Sequence, residues 1–325
     1  MTFDKSERAR QQLSWADEYT EDQLLPTGIQ LRSDFALLNV TADVRDHANW
    51  YFDKSRAIAW HQHANHALSS QVACINFLMP LATRPDLLAR VIGRAIGREA
   101  RMLPVEKGPQ EQDWYVAFEW MGHSDYLGEW RNGAAVRGQN VTSTDAMVQF
   151  DCGEGRETLL IEWKYTERYG APSPAWTKGN PTRFGRYQER AFYPNGPIRS
   201  DLGLTVEDFF FEPVYQMFRQ QMLAWQMQKA SEDGTKRVRV LHISPKDNVA
   251  LHKITAPALL SRGTDVFEAF RGVLVEPDAF IPCTTEDLFV PLLLEAGHDE
   301  STQAWVDDLR RRYPFLSGPV SEMNA

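Results

Sequence analysis

The chain has 325 residues, 43% of them hydrophobic and 24% charged, an ordinary globular composition long enough to bury a sizeable core. Its formal net charge of -9 argues against nonspecific coating of nucleic acid, so any polyanion site must be a local basic patch on a negative body. No run approaches the roughly 20 apolar residues that a membrane-spanning helix needs.

The first fifty residues show no sustained periodicity, which predicts short helices or an arm packed on the domain. Their polar, mixed-charge start is unlike a secretory signal. A helical signal covers residues 55–79, where Pro80 stops it, and a second covers 86–102. Residues 113–120, DWYVAFEW, read as a strand. A hairpin follows, with strands over 145–151 and 157–165 joined by the glycine-bearing turn CGEGR. Residues 170–200 are rich in Pro, Gly and Asn and predict a long excursion. A helix then carries the apolar stripe Val214, Met217, Phe218 and Trp225, before a strand over 236–244. RGVLVEP is a further strand candidate, and two helices close the chain. The first opens on a capping box from Thr284 to Asp287, and the second spans 301–312. This order predicts a mixed α/β sheet covered by helices. One domain over 1–325 is expected: an arm to residue 54, a core over 55–245, and a C-terminal strand and helices over 246–325. Cys74, Cys152 and Cys283 lack metal-ligand spacing and predict reduced thiols in a cytoplasmic protein.

The hairpin carries the chemistry. Side chains alternate along a strand, so Leu160, Glu162 and Lys164 share one face, and Leu159, Ile161, Trp163 and Tyr165 share the more apolar one. Folding about Glu154 brings Asp145 level with residues 162–164, at a cross-strand spacing of about 5 Å. Two carboxylates this close repel unless a cation intervenes. Hard oxygen ligands suit Mg²⁺ or Mn²⁺, with the Trp163 carbonyl as an added ligand. Lys164 would sit beside the attacking water, orienting it and stabilising developing negative charge. The chemistry suggested is phosphodiester hydrolysis. The competing reading makes Glu162 and Lys164 a surface pair on an amphipathic strand.

Asp145 followed by Glu162-Trp163-Lys164 resembles the PD-(D/E)XK superfamily of restriction-endonuclease-like phosphodiesterases. The phrases RGQNVTSTDAMVQF, LLIEWKYTERYG and FEPVYQMFRQQMLA are similar to its bacterial members, most closely over residues 137–245. The resemblance implies a restriction-endonuclease-like mixed sheet flanked by helices, with additional helices at both ends. It also implies catalysis by Asp145, Glu162 and Lys164, with Asp145, Glu162 and Trp163 holding Mg²⁺ or Mn²⁺. Members often carry a glutamate on the helix before the sheet, where this chain has Gln71. Polar residues on the later helix approach the centre in that family, which points to Gln216, Arg219 and Gln220. Capping or a buried hydrogen-bond network is the other reading of these three.

Lys178, Arg183, Arg186 and Arg190 make residues 164–200 locally basic, with aromatic rings interleaved. They are candidates for nucleic-acid binding, against a solvated, ion-paired loop. His61, His63 and His66 cannot all share one helix face and read as neutral histidines rather than a zinc site. Glu119, Asp125 and Glu129 form a possible second carboxylate group of unfixed geometry. A metal-dependent nuclease is therefore expected, with a role in restriction or defence and a preference for DNA over RNA both taken from family habit. A non-catalytic binding module or complex subunit is the rival, and the acidic charge favours a partner that supplies DNA contacts. A homodimer would allow cleavage of both strands.

Overall fold

The computed structural model describes residues 1–170, 172, 181–297 and 299–317. Helices α1 (Phe3–Glu18), α2 (Arg45–Tyr51), α3 (Ser70–Leu78) and α4 (Pro85–Ile96) precede all the strands. Short strands β1 (Arg101–Leu103), β2 (Glu106–Lys107), β3 (Asp113–Trp114) and β4 (Ala117–Trp120) lead to the hairpin β5 (Thr144–Asp151) and β6 (Arg156–Trp163). Then come α5 (Pro181–Ala191), α6 (Val214–Lys229), β7 (Arg237–Ser244), α7 (Val266–Arg271), β8 (Phe280–Thr284), α8 (Thr285–Ala296) and α9 (Glu300–Arg312).

The central sheet runs β1-β5-β6-β7-β8, and β4 shares the β5 edge with β1. Strands β5 and β6 are antiparallel, while β6, β7 and β8 are parallel. It is the mixed sheet flanked by helices that the sequence predicts. Leu159, Ile161 and Trp163 join one core cluster with α3, α4, α8 and α9, whereas Met147, Leu160 and Val240 join another under α6 and α7. Strand β6 is thus buried on both faces, each large apolar side chain contributing roughly 1.5–3 kcal/mol. The Glu162 face is also covered, with Met147 and Leu160 fully buried on it.

Several elements depart from the sequence-based expectations. After a short 3-10 turn at Lys54–Arg56, residues 57–69 form turns rather than α-helix, because Asn39 Nδ2 holds the carbonyls of Ala64 and His66, and α3 starts only after its cap, Ser69. The helix expected to 102 ends at Gly97, whose left-handed φ of +71° closes α4. The strand expected over 113–120 is divided, since the Tyr115 amide bonds to Ala82 O outside the sheet. Helix α1 is longer than a weakly periodic segment suggests. Its buried stripe is Glu7, Gln11 and Trp15, mostly polar, so hydropathy hides it. RGVLVEP supplies only an isolated bridge from Leu274 to Ile198, and β8 takes the sheet position instead.

Candidate active site

The pairing Ala146↔Ile161 fixes the register of the hairpin and sets Asp145 across from Glu162 on the face beneath α6. Asp145 Oδ2 accepts a 2.7 Å hydrogen bond from the Trp163 amide, so the carboxylate binds the end of the ladder. Lys164 Nζ lies 2.5 Å from Glu162 Oε1, and Gln220 Nε2 of α6 donates to Glu162 Oε2. The Lys164 amide bonds to Ile243 O at 2.8 Å, which extends the β6–β7 pairing beyond β6. Glu162 is 5% exposed and Lys164 7%, so the surface-pair reading does not hold.

Two residues complete the cluster. The pairs Phe118↔Ala146 and Trp120↔Thr144 bracket Glu119, placing it level with Asp145 on β4. Glu119 Oε1 accepts from Gln71 Nε2 at 2.6 Å and faces His61 Nε2 at 3.3 Å. Gln71 Oε1 also accepts from the His61 amide at 2.9 Å. Gln71 therefore links the other two residues. Glu119 has a φ of +52° inside a strand, a conformation that costs about 1–3 kcal/mol in a non-glycine residue.

Electrostatics follow from this crowding. Burial, and next the Glu162 charge, push Asp145 well above the usual carboxylate range. Burial opposes the Lys164 charge, yet Glu162, Tyr169, Glu167 and Asp145 together more than offset it and the ammonium is held well above its usual pKa. Burial also opposes charge on His61, but its hydrogen bond to Glu119 and the charges of Glu119 and Asp145 raise it overall. On β7, His242 pairs in register with Glu162; burial, followed by the Lys164 charge, pushes it down to about 3.

These carboxylates outnumber the buried cations around them, and burial followed by the Glu162 charge favours the protonated form of Asp145. Carboxylate oxygens are the donor type that hard divalent ions prefer.

The supporting residues divide. Gln220 and, through Glu119, Gln71 reach the cluster. Arg219 instead lies over Tyr215, its Cζ 4.9 Å from the ring centroid, and donates to Thr142 Oγ1 at 3.3 Å. Gln216 is half-buried with its Oε1 unpartnered among the described residues. Arg183, Arg186 and Arg190 fall on one side of α5, all half-buried. Arg183 Nη1 donates to Tyr215 OH at 3.0 Å, and Arg190 Nε donates to Tyr126 O at 3.1 Å. Lys178 lies outside the described residues. Asp125 caps the amides of Glu129 and Trp130, and Glu129 accepts from Tyr187 OH, so neither joins Glu119. What the sequence did not show is the pairing of Glu119 with His61. The one signal available for Glu119 was its place in the strand next to the hairpin.

A family model described as restriction endonuclease associating with ARP matches residues 11–314, from within α1 to just beyond α9. The chain belongs to this family. The family match contains the whole central sheet and every residue of the Asp145–Glu162–Lys164 cluster. No curated protein and no solved structure matches the chain.

Proposed function

We propose that this chain is a Mg²⁺- or Mn²⁺-dependent nuclease of the PD-(D/E)XK type that hydrolyses DNA phosphodiesters. The observation that carries the reading is the convergence of Asp145, Glu162 and Lys164 on one face at one end of the hairpin. Asp145, Glu162 and the Trp163 carbonyl would hold the ion, which when bound supplies charge neutralisation at the phosphate and an activated water. Gln220 fixes the Glu162 carboxylate from above, so its orientation is set before substrate arrives. Lys164 keeps its proton beside Glu162 and acts as a positive group that orients water and stabilises charge building on the phosphate. DNA is preferred as substrate because the family description names a restriction endonuclease.

The same description names association with ARP, which supports a partner protein for this chain. A net charge of -9 favours a partner that contributes DNA contacts, with Arg183, Arg186 and Arg190 as the chain's own share. A second reading, a non-catalytic subunit that keeps the fold, draws support from the near closure of Glu162 and Lys164.

Plasmid, linear DNA and RNA incubated with Mg²⁺ or Mn²⁺, with EDTA and Lys164→Ala as controls, decide between the two. Metal-dependent cutting lost in Lys164→Ala supports the nuclease. Cutting that survives the substitution removes the mechanism, and no cutting of any substrate leaves the non-catalytic subunit.

A further inference from the structure

Glu162 and Lys164 are buried and Asp145 is half-buried, while the His61 side chain beside them is 42% exposed. It is the most open member of the cluster. The ring turns Nε2 toward Glu119 Oε1 at 3.3 Å, and Nδ1 has no hydrogen-bond partner among the described residues. Its backbone is tied to Gln71, whose amide also grips Glu119, so ring and carboxylate are positioned by one side chain. Glu119 holds this place at the expense of a left-handed backbone within a strand, which packing alone would not require. Gly138, itself at a φ of +77°, lies so close that a Cβ there would come 2.8 Å from Glu119 Oε2. A carboxylate behind one imidazole nitrogen with the other left open is an arrangement suited to proton transfer.

We propose that His61, backed by Glu119, is the acid that protonates the oxygen leaving the phosphodiester. The inference rests on the nuclease reading above. In the step, a water oxygen forms a bond to phosphorus and the water loses a proton to solvent. The bond from phosphorus to the sugar oxygen breaks, and its electron pair stays on that oxygen. The oxygen takes the Nδ1 proton of His61, and solvent then returns a proton to the ring. The groups that face His61 are Glu119 on β4, Asp145 on β5 and Lys164 after β6. The two carboxylates favour the charged ring and the ammonium opposes it.

The test exploits leaving-group chemistry. A sugar alkoxide needs a proton to depart, whereas p-nitrophenolate does not. Wild type and His61→Ala are compared on plasmid DNA and on bis(p-nitrophenyl) phosphate, both with Mn²⁺. Loss of a general acid predicts a fall of about 10²-fold or more on DNA, with ester hydrolysis little changed. Equal losses on both substrates, or no loss on DNA, overturn the proposal and leave the nuclease reading standing. A wild type inert on both substrates overturns the nuclease reading and this inference with it. Glu119→Gln provides a second readout: the alkaline limb of the kcat profile on DNA moves to lower pH, and an unmoved limb counts against the dyad.

Discussion

Lys164 Nζ and Glu162 Oε1 meet at 2.5 Å beneath α6, a buried ion pair two residues apart on one strand face. Removing one partner leaves the other charge uncompensated, which for a buried pair costs about 3–5 kcal/mol. Lys164→Ala is therefore expected to lower stability by that amount in denaturant titration, as well as abolish cutting. Combining Lys164→Met with Glu162→Gln should recover most of the stability and none of the activity. A double variant as unstable as the single one would show that the charge pair is not the source.

Asp145 gives a pH-dependent prediction. Its pKa in the folded state lies well above the unfolded value, because of burial and then the Glu162 charge. The contribution of the protonated form to stability is therefore complete below the unfolded carboxylate pKa and is lost as pH rises through the folded one. A divalent ion must displace that proton, so affinity should rise by up to about tenfold per pH unit across this window. Melting temperatures with and without Mn²⁺ over a pH series should show an increment that grows with pH. Asp145→Asn should erase the increment; one that is flat with pH would contradict the assignment.

His242 has the opposite sign. Both ring nitrogens are buried without a partner among the described residues, and the folded pKa is about 3. The unfolded histidine titrates near 6.5, so stability is full above that pH and falls as pH drops toward 3, by on the order of 5 kcal/mol in all. His242→Leu should flatten the acid limb of the stability curve measured by urea unfolding. An unchanged limb would assign it to other groups.

Gly138→Ala tests the brace behind Glu119. A side chain at a φ of +77° is strained by about 1–2 kcal/mol, and its Cβ would press on Glu119 Oε2 at 2.8 Å. Stability should drop by at least that strain, and DNA cutting should fall with displacement of Glu119. Full activity in a destabilised variant would detach Glu119 from the reaction.

The hairpin could be read from the chain because its determinants are local. Alternation placed Leu159, Ile161 and Trp163 opposite Leu160, Glu162 and Lys164, and the glycines of CGEGR set the fold point, so the level of Asp145 followed by counting. Residues 57–69 misled because their turns are held from outside, by Asn39, and periodicity cannot register a distant hydrogen-bond donor. Helix α1 escaped because its buried side, Glu7 and Gln11, satisfies polar partners such as Tyr165 OH and Arg312 O rather than an apolar core.

What the amino-acid order determined by itself was the pair of strands and the two carboxylates and ammonium they align, since period-two alternation and turn chemistry act within twenty residues. Only tertiary structure decided that α6 covers this face, that Gln220 reaches Glu162, and that His61, Gln71 and Glu119 gather beside Asp145. The physical reason is chain separation. Gln71 and Glu119 are 48 residues apart, and their contact depends on how α3 packs against the sheet, which no local preference encodes.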